Sequence, residues 1–306
     1  MQRILVWLIL CLIWGSTWIF IKVGLRDLPP IAFASSRFIL SVIVVFAIIR
    51  AQKIPLPKTV SEWRLLALTG FLQFGLNYSS VFWSEQYITS GLAAVLQATI
   101  TVFGLLLAWI FLPSERITAR KIIAVLIGIL GVTVIFVDQL KVENWMAFLG
   151  CVGIVAGSYC AAQASILVKA RAAGMHPATL LLGQMVCALP FIIGYSLIFE
   201  GNPINFHWST VSLLCVLYLS LVGTIAAFWL YYWLLSRIES TKAMMISLVT
   251  PLLAVIIGAI TVGETMPPQT LFGGLMIIGS IALIVFRRRR IEPQTRKDAV
   301  EVEQGI

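Results

Sequence analysis

The stretch TPLLAVIIGAITVGE runs from Thr250 to Glu264, and an earlier stretch, TVFGLLLAWIFLPSE, runs from Thr101 to Glu115. Both are apolar, both open on Thr, and both close on Glu, at an offset of 149 residues. Ala94 and Ala243 keep that offset, whereas Lys22 and Lys169, and Pro30 and Pro177, lie 147 apart, so one small insertion or deletion accounts for the drift. A phrase repeated at this distance is the signature of a duplicated unit, and the rest of the chain says what the unit is.

Of the 306 residues, 60% are hydrophobic and 11% charged. Soluble domains carry about a quarter charged residues, and a soluble all-helical chain could not cover its surface with so few. Crossing ~30 Å of hydrocarbon takes ~20 mostly apolar residues in a helix. Ten such runs are present, at 4–23, 30–49, 65–84, 90–112, 120–137, 145–168, 178–199, 211–235, 241–262 and 269–286. Barrel strands would alternate and be about half as long. The expected fold is therefore an all-α integral membrane protein. The first run is expected to be a span and not a signal peptide, because its apolar core exceeds the ~7–15 residues of such a leader and no small-residue cleavage site follows. All five cysteines (Cys11, Cys151, Cys160, Cys187 and Cys215) fall within or at the edge of spans and read as small hydrophobes. No metal or cofactor is expected.

A net charge of +9 could suggest a nucleic-acid partner. Its distribution argues against one. With the N-terminus cytoplasmic and the spans alternating, 18 of the 22 basic residues fall on the cytoplasmic side; Lys22, Arg26 and Lys141 fall outside, and Arg37 lies within a span. That is the positive-inside pattern, and it puts both termini in the cytoplasm. The run Arg287 to Arg290 would anchor the last span against anionic lipid. The remainder of the basic tail, 287–306, reads as disordered.

The offsets divide the chain into a first unit, 1–138, and a second, 139–286, of five spans each. Because five is odd, the second unit must enter the membrane from the opposite side. Two similar units in opposite orientation form the inverted-repeat plan of secondary transporters, in which exchanging the two shapes moves access across a fixed central site. A duplication kept only for packing is the alternative.

WGSTWIFIK (Trp14 to Lys22), the LPP…SSRF stretch (Leu28 to Phe38), and the Pro251 to Glu264 phrase followed by GGLMIIG (Gly273 to Gly279) resemble the EamA-type branch of the drug/metabolite transporter superfamily. The resemblance covers both halves. It implies a ten-helix, inverted-repeat carrier in the plasma membrane (the inner membrane of a bacterium), commonly exporting amino acids, metabolites or toxic compounds. Family members often carry a proline early in the fourth span; Val102 stands there in this chain, so the fourth span is expected to be straighter than the ninth.

Polar groups in hydrocarbon should face the protein interior or a water-filled pathway. In the fourth span Ser90, Ala94, Gln97, Thr101, Gly104 and Ala108 share one face; in the ninth, Ala243, Ser247, Thr250, Ala254, Gly258 and Thr261 do the same. Small-residue helix packing explains such stripes equally well. Gln97, Thr101, Ser247 and Thr250 lie nearest mid-span and are expected to line a pathway. Pro251 removes a backbone donor there and is a candidate hinge, or a passive kink, as is Pro190. Gly153, Gly157 and Ala161 read as a packing face of the sixth span, and Tyr159 and Gln163 as lining on another. Arg37 could receive a substrate carboxylate or anchor an outer gate; it could equally satisfy carbonyls of a neighbouring helix or snorkel outward. Its counterpart at the 147 offset is Gln184. Trp14, Tyr78, Trp229 and Tyr232 lie deep and offer flat faces with one polar group, whereas Trp63, Trp145 and Trp208 suit interfacial belts. Thr17 and Asn77 complete the candidates.

No Asp or Glu lies near a span centre, and His176 and His207 fall in loops. Proton coupling therefore has no support in the sequence, and facilitated diffusion or exchange serves as well. Glu115 and Glu264 are expected to meet the positive N-termini of the helices that follow them. The leading reading is a carrier of small organic solutes working by alternating access, without a nucleotide-binding loop. The partners are the solute and the bilayer. A membrane enzyme would need a catalytic constellation that is not visible, and a receptor or scaffold would need more loop surface.

Overall fold

A computed structural model describes residues 2–88, 90–262 and 268–285 of the chain, apart from the side chains of 90, 91, 139, 258–262 and 285. Glu264, the basic run from Arg287 and the tail to 306 lie outside the described residues, as do the side chains of Ser90 and Thr261 and the surroundings of Gly258.

Among the described residues there is no strand; the chain is a series of helices. They are α1 (Gln2–Gly24), α2 (Pro30–Gln52), α3 (Val60–Ser84), α4 (Ser90–Gln97, resuming Ile100–Phe111), α5 (Ala119–Ile135), α6 (Trp145–Arg171), α7 (Pro177–Phe199), α8 (Thr210–Leu235), α9 (Ser240–Met244, resuming Ile246–Val262) and α10 (Pro268–Val285). Among the described residues eight helices are long and apolar enough to cross a membrane; α5, at 17 residues, and α10 are shorter. Several starts have a local cause. Thr59 opens α3 with a capping box, its hydroxyl accepting from the Glu62 amide while the Glu62 carboxylate accepts from the Thr59 amide. Asn144, His176 and Ser209 cap α6, α7 and α8, and Pro30 and Pro177 occupy first-turn positions where a missing N–H costs nothing. Lys53 ends α2 in the left-handed region at φ 53°.

The fourth span was expected to be straighter than the ninth, and the structure interrupts both. Helix α4 stops at Gln97 and resumes at Ile100, while α9 runs unbroken from Ile246 past Pro251 to Val262 and is interrupted earlier, at Met245. The cause is local. The Thr99 and Thr101 hydroxyls donate to the carbonyls of Leu96 and Ala98, and the backbone there tightens to i→i−3 bonds, competing with the helical ladder. Helices α3 and α8 each contain a π-helical stretch, Phe71–Asn77 and Leu221–Ala226.

The packing has a regular scheme. Helix α1 lies against α8 and α9, and α6 lies against α3 and α4; α2 meets α8, and α7 meets α3; α2 packs on α7, and α5 on α10. Exchanging the first five helices for the last five maps each of these contacts onto another or onto itself. The α5–α10 seam is tight: a Cβ on Gly131 would fall 2.7 Å from the Gly273 carbonyl oxygen, which only small residues permit. The outer surface is apolar, with side chains such as Leu8, Ile43, Trp109 and Leu275 exposed, as a lipid-facing surface requires. Trp63, Trp145 and Trp208 are also exposed near helix starts.

Candidate functional site

A cavity of about 170 Å³ lies at the centre of the bundle. Helix α1 presents Trp14, Thr17, Trp18 and Ile21 to it, at the three- and four-residue steps of one helix face. From α3 come Gln73, Asn77 and Tyr78, in and just after the π-helical stretch. The extra residue in a π-turn rotates the following face, and such turns recur at functional sites. Gln97 and Ile100 flank the break in α4, Ala161 and Ser165 come from α6, Phe228 and Tyr231 from α8, and Ala243, Ser247 and Thr250 from α9.

Most polar groups on the wall are already engaged. The Thr17 hydroxyl donates to the Trp14 carbonyl at 2.7 Å, Ser247 to the Met244 carbonyl at 2.9 Å, and Tyr231 to Ser165 at 3.0 Å. The Ser247 carbonyl, whose usual i+4 donor is replaced by Pro251, accepts the Thr250 hydroxyl at 3.4 Å. The Gln97 amide reaches Asn77 Oδ1 only at 3.5 Å, and the Gln97 carbonyl oxygen is buried without a partner among the described residues. Trp14 packs against Phe228 and Tyr231 with ring centroids 5.6 and 5.4 Å away.

Arg37 is 1% exposed and lies on the cavity wall. Its Nε and Nη2 donate to the Thr224 hydroxyl at 3.1 and 2.8 Å, and Nη2 lies 3.5 Å from the Gly223 carbonyl oxygen. Thr224 sits in the π-helical stretch of α8, and its hydroxyl donates five residues back to the Leu219 carbonyl. The guanidinium also lies 5.3 Å from the Tyr78 ring and 5.2 Å from the Phe38 ring.

The structure thus brings Trp14, Thr17, Arg37, Asn77, Tyr78, Gln97, Ser247 and Thr250 together at the cavity. The other candidates lie elsewhere. Thr101 is buried and bonded to Ala98, beyond the α4 break, which shifts its phase relative to Gln97. Tyr159 is 41% exposed, edge-on to Phe103, and Gln163 lies off the cavity on the same helix. Gln184 is fully buried; its amide donates to Thr69 at 2.8 Å and its carbonyl accepts from Tyr232. Trp229 packs against His176. Gln73, Trp18, Ser165 and Tyr231 were not singled out in the sequence. Helical spacing was the available signal: Trp18 follows Trp14 by four, Gln73 precedes Asn77 by four, and Ser165 follows Ala161 by four.

One turn beyond the cavity floor is an ionic cluster. Ser165 and Ala243 line the cavity; Lys169, four residues on, and Ser240, three residues back, meet at Glu115. The carboxylate is 5% exposed; both oxygens accept from the Ser240 amide at 2.9 Å, one accepts the Ser240 hydroxyl at 2.6 Å, and Lys169 Nζ lies 2.6 Å away. Lys169 also donates to the Ile238 carbonyl. Glu115 therefore caps α9, and not the helix that follows it as expected, because the α4–α5 connection lies under the other half of the chain. Nearby, Glu239 pairs with Lys121 at 3.4 Å and Lys242 at 3.0 Å. Partial burial raises its pKa, but these two lysines outweigh that and hold it below the ordinary value. A second recess of about 480 Å³ lies at the α1–α2 turn, lined by Arg26, Asp27, Phe82 and Glu85. Phe82 borders both spaces. Among the described residues no three His, Cys, Asp or Glu side chains converge on a metal site.

Comparison with known proteins gives the family. The profile of the EamA-like transporter family matches residues 2–137 and 148–286. "Uncharacterized transporter YoaV" of Bacillus subtilis (strain 168) is 24% identical over 283 residues, covering 92% of this chain and 96% of that one. A "Probable amino-acid metabolite efflux pump" of Escherichia coli (strain K12) is 24% identical over 290 residues, covering 92% and 94%. A protein crystal structure superposes with a TM-score of 0.81 at 16% identity, covering 95% of this chain and 99% of its own, and so shares the fold. The chain belongs to the EamA-like transporter family: it is a multi-pass integral membrane transporter and not an enzyme.

Proposed function

From membership of a transporter family as premise, we propose that this chain carries small organic solutes (amino acids, metabolites or drugs) across the plasma membrane by alternating access, in the outward direction. The observation that carries the reading is the position of the cavity: α1 to α4 of the first half and α6, α8 and α9 of the second all contribute to its wall. In this reading the ten helices are two inverted five-helix units, 1–138 and 139–286. The contact scheme that maps onto itself when the halves are exchanged supports this, as do the paired π-helical stretches of α3 and α8. The Glu115–Lys169–Ser240 cluster closes the cavity at the end where basic residues concentrate, the cytoplasmic end by the positive-inside rule. Opening it while the opposite mouth closes would exchange access. Export is supported by the names of relatives such as the E. coli efflux pump.

Purified protein reconstituted into liposomes should accelerate solute movement with saturation across a panel of amino acids and antimicrobial compounds. Gln97→Ala and Thr250→Val should lower that flux while leaving membrane insertion intact. Unsaturable flux equal to that of protein-free liposomes, throughout the panel, would sink the carrier reading.

A further inference from the structure

Arg37 is a buried cation with no counter-charge. Among the described residues no carboxylate pairs with it, and no acidic side chain lines the cavity. Its partners are a hydroxyl, a backbone carbonyl and two aromatic rings, all neutral. An ionised group in a low-dielectric surrounding is costly unless it is paired or serves a function. Packing alone does not require the charge. At the equivalent place in the second half, Gln184 on α7 reaches Thr69 of α3 much as Arg37 on α2 reaches Thr224 of α8. There a neutral amide makes the interhelical tie, and that residue does not line the cavity. The charge stands only where the helix wall faces the central space.

The remainder of the wall defines what would accompany an anionic group. Trp14, Trp18, Phe228 and Tyr231 offer flat faces, and Gln97, whose amide nitrogen reaches Asn77 only at 3.5 Å, has a buried carbonyl oxygen without a partner among the described residues. The space is about 170 Å³; an apolar cavity of ~150 Å³ accommodates one benzene. We propose that this cavity is an anion site for a monocarboxylate with an apolar body about one aromatic ring in size. The carboxylate is received at the Arg37–Tyr78 wall and the body lies among the aromatic faces. The proposal deepens the carrier reading and rests on it for its transport consequence only; the binding preference stands by itself.

The test uses three probes of similar shape: phenylacetate, phenylacetamide and phenethylamine. Radiolabelled phenylacetate is bound to the purified full chain in detergent by equilibrium dialysis, and the unlabelled compounds compete. Phenylacetate should compete at least about tenfold better than its amide, the scale of a hydrogen bond to a charged group, and the amine no better than the amide. Arg37→Gln should bring acid and amide within about twofold of each other, while Arg37→Lys keeps the acid preference. Should Arg37→Gln fail to fold, the wild-type preference and the Lys variant still decide. Equal competition by acid and amide, no binding of phenylacetate, or a preference that survives in Arg37→Gln each overturns the proposal. Flux in proteoliposomes separates the two readings. Selective binding without saturable flux removes the carrier and leaves the anion site; saturable flux with no acid preference does the reverse.

Discussion

Replacing Glu115 should loosen one end of the cavity by an amount the geometry bounds. Its carboxylate accepts from the first amide of α9, that of Ser240, and is the counter-ion of Lys169, whose side chain is 17% exposed. Losing the side-chain acceptor of a first-turn amide costs about 1–2 kcal/mol, as loss of a cap does. Removing one partner of a buried ion pair costs about 3–5 kcal/mol, because the other charge is left uncompensated. Lys169 keeps the Ile238 carbonyl, so the two costs overlap, and Glu115→Ala should lose about 3–5 kcal/mol in all. Glu115→Gln retains an acceptor for Ser240 and should lose only the charge-assisted part, about 1.5–3 kcal/mol. Thermal unfolding in detergent, read with a thiol-reactive dye, suits this chain because Cys11 and Cys215 are free and buried. Glu115→Ala should melt lower than wild type by roughly 5–10 °C, from about 2 °C per kcal/mol for a chain of this size. Adding Lys169→Met removes the stranded cation and should restore part of the loss, a coupling of about 2 kcal/mol. A cysteine placed at Ala243, one turn inside, should label faster from the cytoplasmic side in Glu115→Ala. A melting shift under about 1 °C together with strictly additive double-variant behaviour would refute the closure argument.

Two further outcomes are expected. One oxygen of Glu85, in the α3–α4 connection near Arg26 and Asp27, is buried without a partner among the described residues, and burial pushes the carboxyl up to about 7. The native state then holds a proton that the unfolded chain releases near its ordinary value of about 4.3. Stability is highest below that window and falls as pH rises through 7, by on the order of 3 kcal/mol. Melting temperature measured from pH 5 to 8 should show this slope in wild type and lose it in Glu85→Gln; parallel profiles would contradict it. Gln184→Leu breaks the Thr69–Gln184–Tyr232 chain and leaves two buried hydroxyls short of a partner, for about 1–3 kcal/mol. Because Gln184 lies off the cavity, the variant should melt lower with an unchanged KM for solute; a raised KM at unchanged melting would place it in the pathway.

The apolar helices were legible because hydrocarbon imposes long apolar runs, and the proposed duplication rests on offsets such as those of Thr101 and Thr250 or Lys22 and Lys169. The interior was only half legible, for a reason specific to membranes. The rule that polar groups avoid lipid is satisfied equally by a side chain facing a cavity and by one bonded to another helix. Gln97 and Gln184 obey it alike, yet one lines the cavity with a carbonyl oxygen that lacks a partner among the described residues, and the other is bonded through both amide atoms. Periodicity fails for a second reason at Thr101, where two hydroxyls bonding back to the chain interrupt α4 and carry everything beyond Gln97 to a new phase. The π-helical stretches are a further departure from the regular period; they hold Gln73 and Asn77 at the cavity and bind Arg37 through Thr224. The departures from helical regularity that defeat a reading by period are therefore the places where the site is built.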